Sequence, residues 1–401
     1  MNRKRTILTI FVVLATFFIY FGHVSYSHST EVIKVGMTPD LTGRTSEVGS
    51  PWSEGIKDYF RYVNEEGGIN GKKIELMITD CQKQIAQEVS AYKKYTREGK
   101  TPLVFTYDTG ACMTIAPMAA KDKVVQITAS MIAQLGDAPK KPYTFLTATS
   151  YQRQTASLIN YSLMQFKGKG RKPTFAITYP DAPFGRMVLG AYKEALAKKE
   201  LQSVKEVIVP IRVLDAKVQM SKVKKENPDF VLSLGVEPTI ATVMKDAHRV
   251  GISPEKTKFL TLTTAVQNKV IELGGEDVKS LVGARPFNGW NDTNVPGIQL
   301  IHKINKKYHP EITYRPLWYT YGFLSAMVAA EGLKRIPAGQ EISGENLKAA
   351  LETLDNFNCQ GIVSPIKYTS TDHTGPQAVK LISPNLKKKY LETVSDWVYA
   401  D

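Results

Sequence analysis

The sequence predicts an α/β protein of two lobes, each a doubly wound parallel sheet flanked by helices. Three observations carry this. Residues 31–80 read as strand, turn, helix and strand in succession; the same alternation begins afresh at Tyr151; and 401 residues are long for one hydrophobic core and comfortable for two. Parallel strands need a crossover helix, the crossover is right-handed, and ligand groups then belong on loops at the strand carboxyl ends.

The opening unit starts with the apolar run Val32, Ile33, Val35 and Met37, which ends in the turn-rich stretch from Pro39 to Gly43. Trp52, Ile56, Tyr59, Phe60 and Val63 then recur at helical spacing, Gly67, Gly68 and Gly71 break the helix, and 73–78 extends again. Further along, 86–97 reads as a helix, 103–105 as a strand ending in the loop Tyr107, Asp108, Thr109 and Gly110, 111–121 as a helix, and 124–128 and 143–147 as strands. A helix that begins directly after such a loop offers unpaired N–H groups and a partial positive charge to whatever sits there. In the second half, helices are expected at 151–166, 186–198, 218–225, 239–250 and 266–273. Strands are expected at 174–179, 204–211, 230–234, 259–262 and 281–284. Helices at 296–308 and 317–335 follow, and strands at 363–368, 378–382 and 390–394 finish the chain.

Composition is that of an ordinary globular protein, 43% hydrophobic and 22% charged. Arg3, Lys4 and Arg5 precede an apolar run from Ile7 to Phe21 and then small polar residues from Ser25 to Ser29, the layout of a secretory signal over 1–30. An uncleaved anchor is the competing reading, although a spanning helix needs about 20 apolar residues. No cysteine lies in 1–30 to carry a lipid. Removing those three basic residues takes the formal charge from +14 to +11, because no acid precedes Glu31. The remaining lysines come as scattered pairs such as Lys72-Lys73 and Lys224-Lys225, which suits a solvated surface better than nucleic acid. Lys387-Lys388-Lys389 beside Asn385 reads as a hairpin tip. Three cysteines, Cys81, Cys112 and Cys359, allow one disulfide and one odd thiol in an oxidising compartment, and no cysteine–histidine cluster suggests a metal.

The string Gly36-Met37-Thr38-Pro39-Asp40-Leu41-Thr42-Gly43, then Gly49, and later Gly67-Gly68-Ile69-Asn70-Gly71-Lys72-Lys73-Ile74-Glu75-Leu76, resembles the start of the branched-chain amino acid (Leu/Ile/Val) type of periplasmic solute-binding protein, the soluble receptor of an ABC importer. In pattern the likeness extends over about 31–390. It implies the type I periplasmic binding fold with a multi-strand hinge: 31–148 plus about 264–360 in one lobe, 149–263 plus about 361–401 in the other. It implies a monomer that closes on an amino acid, amide or aromatic compound and passes it to a permease outside the cytoplasm. Members of the family often bridge the region of Cys81 and Cys112, and that pair is expected to join.

An enzyme needs a nucleophile with a base, a metal set or paired carboxylates, and no such constellation, nucleotide loop or cofactor motif is present. The six histidines, His373 in the turn 371–375 included, read as solvated. For a binding protein, strand ends facing a cleft nominate Val48, Trp52, Tyr107, Asp108, Thr109, Gly110, Thr128 and Ser130 from the first lobe, and Tyr179, Phe184, Glu237 and Thr239 from the second, with Phe287 and Trp290 near a crossing. Core packing is the competing role for each aromatic. In the family resembled, a serine after the third strand and a small or hydroxyl residue after the fourth hold the ligand carboxylate, and an acid meets its ammonium; here those places hold Asp108 beside Thr109, Ser130, and Thr239 with Glu237 nearby. Asp108 facing the ligand would repel a carboxylate, which points to an amide, an amine, an aromatic compound or an amino acid held otherwise; alternatively Asp108 caps the helix behind it. A membrane-anchored sensor ectodomain is the competing function.

Overall fold

The computed structural model describes residues 32–400, so the leader lies outside the described residues. The first sheet holds β1 (Ile33–Thr38), β2 (Ile74–Ile78), β3 (Leu103–Thr106), β4 (Val125–Thr128) and β5 (Thr144–Leu146), all parallel, in the order β2-β1-β3-β4-β5. The second holds β6 (Phe175–Tyr179), β7 (Ser203–Ile208), β8 (Phe230–Ser233), β9 (Lys258–Thr261) and β10 (Leu281–Arg285) in parallel. β11 (Ala378–Asn385), β12 (Tyr390–Thr393) and β13 (Val398–Tyr399) are added antiparallel, in the order β12-β11-β10-β9-β8-β6-β7 with β13 on β11. This is the type I periplasmic binding fold. The strand order reverses between β1 and β3 and again between β6 and β8, and those reversals open a crevice at the carboxyl ends of both sheets.

Helices pack on the sheets by the apolar faces the sequence writes. In α1 (Ser46–Glu65), Trp52, Ile56, Tyr59, Phe60 and Val63 are all buried. α2 (Ile85–Glu98), α3 (Thr109–Asp122) and α11 (Gly344–Leu351) belong with the first sheet; α4 (Tyr151–Phe166), α5 (Pro183–Lys198), α6 (Lys217–Glu226), α7 (Glu237–Arg249) and α8 (Lys269–Gly274) belong with the second. α9 (Pro296–Tyr308) and α10 (Leu317–Arg335) return to pack against α1. α10 is buried without a break from Leu317 to Ala330, as a helix apolar on every side must be. It crosses α1 at two glycines: a Cβ on Gly55 would lie 2.1 Å from the Tyr319 carbonyl oxygen, and one on Gly322 would lie 1.9 Å from that of Trp52.

Three stretches of chain join the sheets: 147–150, 286–295 and 352–377. Strand pairing changes two expectations here. β10 pairs with β9, so 264–285 sits with the second sheet and not with the first. The strand expected at 363–368 is absent; Val363 and Ile366 make single bridges to Phe287 and Phe357, because Pro365 between them has no N–H for a ladder. α11 was not anticipated. It is eight residues long and is started by the Ser343 hydroxyl, which accepts the Asn346 N–H at 3.2 Å. His373, expected in solvent, is fully buried, stacked 3.8 Å from Phe145 and hydrogen-bonded to Glu352 at 3.0 Å. The hairpin tip at Lys387–Lys389 is present between β11 and β12, where Asn385 pairs with Tyr390.

The cysteines are free and buried, Cys81 and Cys112 included. Strands consecutive in sequence are not neighbours here: β1 lies between β2 and β3. Two strand spacings are about 9.6 Å, beyond the roughly 7 Å between Cα atoms that a disulfide spans. The Cys112 Sγ lies instead 3.0 Å from the Thr128 Oγ1 and 3.2 Å from the Thr106 Oγ1.

The helix crossing makes a direct prediction. Gly322→Ala sets a methyl against backbone that cannot give way and is expected to cost about 3 kcal/mol in urea unfolding. Gly190→Ala, at an exposed position of α5 with nothing within 4 Å of the new Cβ, is expected to stabilise by about 0.5–1 kcal/mol.

Candidate functional site

The cleft begins with three carboxylates that shape its first wall. Asp40, fully buried after β1, accepts the Gly43 and Thr45 N–H groups at 2.6 and 2.9 Å and the Thr45 hydroxyl at 2.7 Å, turning the chain into α1. Asp80, after β2, accepts the Leu41 N–H at 2.8 Å, the Thr42 hydroxyl at 2.6 Å and the Gln82 N–H at 3.0 Å. Partial burial works against its charge, but those hydrogen bonds outweigh it and hold the carboxyl below its ordinary range. Glu88, fully buried on α2, accepts the Thr38 hydroxyl at 3.0 Å and the N–H groups of Tyr107 and Asp108 at 2.5 and 3.0 Å. It fixes the loop after β3 from behind.

On that loop Asp108 caps α3: its Oδ1 accepts the N–H of Gly110 at 2.8 Å and of Ala111 at 3.3 Å. Its Oδ2 is paired with the Lys83 ammonium. Gln82 and Lys83 stand consecutively in the left-handed region, φ 50° and 59°, and that turn brings Lys83 over the Tyr107 ring, 5.4 Å from its centroid. The expected repulsion of an anion by Asp108 is therefore cancelled by a cation that sequence reading left among the surface lysines. Thr109 and Ser130 share a hydroxyl hydrogen bond of 2.9 Å.

Opposite stand Phe184 at the start of α5, packed edge-on to Tyr151 at 5.2 Å, with Ile211 after β7 and Val236 after β8. Together these groups enclose a cavity of about 770 Å³, its mouth included. Of the residues nominated from sequence, Val48, Trp52, Tyr107, Asp108, Thr109, Ser130 and Phe184 line it. Seven do not. Gly110 spends its N–H on Asp108, and Thr128 accepts the Ser130 N–H at 2.9 Å from behind the wall. Tyr179 ends β6 outside the wall, and Thr239 accepts the Arg212 N–H at 3.1 Å. Phe287 stacks behind Tyr321 at 5.2 Å, and Trp290 packs on His302 at 3.9 Å. Glu237 is 2% exposed and bound to Gln267. The wall residues not foreseen include Lys83, Tyr151, Trp318 and Tyr321. An Arg212–Glu47 ion pair bridges the cleft between the loop after β7 and α1.

The model of the family described as periplasmic binding protein matches residues 32–388. The chain belongs to that family. It is thus a binding protein and not an enzyme. It is similar to the Leu/Ile/Val-binding protein of Escherichia coli (strain K12), 24% identical over 319 residues, which cover 77% of this chain and 81% of the relative. Among solved structures, a branched chain amino acid ABC transporter protein from Thermus thermophilus with bound valine superimposes with a TM-score of 0.84 at 25% identity, over 92% of this chain and 97% of that one. A fatty acid ABC transporter substrate-binding protein from Thermomonospora curvata shares the fold, with a TM-score of 0.79 at 20% identity over 92% of each chain.

In this binding protein, two buried carboxyls are set apart by environment. Burial pushes Glu88 up to about 7, against the pull of its hydrogen-bond donors, and burial pushes Glu237 up to about 7 as well, with Glu47 across the cleft adding to it. Both hold protons more readily folded than unfolded. The stability these two groups contribute is therefore expected to be fully present below pH about 4.5 and to be lost as pH rises through about 7. Each group contributes up to about 3 kcal/mol over that window. Glu237→Gln keeps an acceptor for Gln267 and removes one titration, so chemical unfolding from pH 5 to 7 should show a shallower slope.

Proposed function

We propose that the chain is the extracytoplasmic receptor of an ABC importer. Exported by its leader, it closes two lobes on one small amino-acid-like or aromatic solute and, as a monomer, presents that solute to a membrane permease. The observation that carries this is the cavity itself, whose walls come from loops at the carboxyl ends of both sheets, so a guest that touches both favours the closed arrangement. The relatives support it. One structure carries valine and another is described for fatty acid, and those ligands have in common a carboxylate and an apolar body. The lobes we propose are 33–148 with about 286–376, and 149–285 with the carboxyl-terminal strands.

Mass spectrometry of solute carried through purification should identify the guest. Added back to stripped protein at one hundred times its Kd, the guest is expected to stabilise by about 2.7 kcal/mol and to reduce the radius of gyration in X-ray scattering. Absence of any solute that both protects and compacts the protein would sink the reading. The bridging pair Arg212–Glu47 has side chains 50% and 30% exposed, so its contribution is small, about 0.2–1 kcal/mol. Arg212→Ala should weaken solute binding no more than about fivefold, and the unliganded protein should scatter as a more open particle.

A further inference from the structure

The cavity wall carries two charged side chains, Lys83 and Asp108. Asp108 is committed: one oxygen caps α3 through Gly110 and Ala111, and the other faces Lys83. Lys83 is not. Its ammonium has three N–H groups, of which Asp108 takes one.

Other donors around the cavity also lack acceptors. The indole N–H groups of Trp52, 0% exposed, and Trp318, 3% exposed, have no partner, and neither has the Thr264 hydroxyl. Buried donors are normally satisfied, so three unpaired ones around one cavity point to an acceptor brought in from outside. Among acceptors, the Glu47 Oε1 is also buried without a partner, but Glu47 does not line the cavity and its other oxygen pairs with Arg212. The acid placed to meet an ammonium, Glu237, is buried behind the wall and bound to Gln267, whose own carbonyl oxygen takes the Leu317 N–H at 2.8 Å at the start of α10. An ammonium entering the cavity would find Lys83 and, among the lining residues, no carboxylate other than the committed Asp108. Six aromatic residues, Trp52, Tyr107, Tyr151, Phe184, Trp318 and Tyr321, stand around the space.

Resting on the receptor reading above, we infer that the solute is a monocarboxylate with an apolar or aromatic body and no ammonium, and that Lys83 receives its carboxylate. Asp108 is then a positioning residue that holds Lys83 over the Tyr107 ring and leaves its remaining N–H groups to the guest. The wall selects against α-amino acids by offering their ammonium no free carboxylate.

Two matched series test this by calorimetry and tryptophan fluorescence on the purified full-length exported protein after solute has been stripped: 3-phenylpropanoate, phenylalanine and 3-phenylpropanamide; and 4-methylpentanoate, leucine and 4-methylpentanamide. In at least one series the acid is expected to bind at least tenfold more tightly than the amino acid and the amide. Lys83→Met should reduce the acid's affinity at least tenfold and erase its preference over the amide, while Lys83→Arg retains most of it. The ligand series needs no variant, so a misfolded Lys83→Met leaves the test standing. An amino acid that binds as tightly as its deaminated partner overturns the inference and leaves the receptor reading intact. So does acid binding that survives Lys83→Met unchanged. Failure of all six compounds, with no solute carried through purification, overturns both.

Discussion

The contact on which the site depends is the crossing of α1 and α10 at Gly55 and Gly322, where backbone meets backbone with no room for a side chain. Helices that close can approach only at residues without a Cβ. At this distance Trp52 and Trp318, each one turn from its glycine, line the cavity together with Val48 on α1 and Tyr321 on α10. The outer end of the crossing is fixed by polar groups: the Tyr319 hydroxyl donates to Asp58 at 2.8 Å, His309 reaches the same carboxylate at 3.0 Å, and Arg315 bonds Glu54 at 2.6 Å. Each large apolar side chain buried along the seam contributes about 1.5–3 kcal/mol. The seam thus gives stability, and the cavity inherits its shape.

Against this rigid seam the loops are held by charge. Asp40, Asp80 and Glu88 turn three successive strand ends with backbone N–H groups as their main partners. A left-handed residue other than glycine costs about 1–2 kcal/mol, and Gln82 and Lys83 take that conformation in succession. The Asp80 bond to the Gln82 N–H and the Lys83–Asp108 pair offset the strain. The loop therefore spends stability to hold one ammonium at the mouth of the cavity.

Much of this was legible in the sequence, for reasons particular residues make plain. Strands such as Leu103–Thr106 are short apolar runs bounded by turn residues, and the helix Leu317–Arg335 is mostly apolar as far as Ala330 and stops before Ile336-Pro337. The loops after β3 and β4 were located because each follows a strand and precedes a turn or helix. What was hidden depends on long-range contact. Trp318 and Tyr321 look like core in any sequence window, and only the crossing at Gly322 turns them toward the cleft. Lys83 carries no local mark, since its role comes from a left-handed turn and from a partner 25 residues away. Cys81 and Cys112 were expected to join on the family resemblance, but β1 intervenes between the strands that precede them. His373 sits in a turn-forming stretch, but Phe145 stacks on it and removes it from water.

The two sides of the cavity divide the physical work. Lys83, Thr109 and Ser130 stand on the first sheet's loops as side chains that can bond a guest, while the second sheet presents Ala182, Pro183, Phe184, Ile211, Gly235 and Val236, with the Thr264 hydroxyl after β9. A hydrogen bond gains little while water can compete for it, and its net value rises when an apolar surface removes that water. A largely apolar second wall therefore strengthens the bonds made on the first. It also makes closure sensitive to the shape of the guest's body, because a body too small leaves a void against Phe184 and Ile211, and a void forfeits the dispersion contacts of its lining.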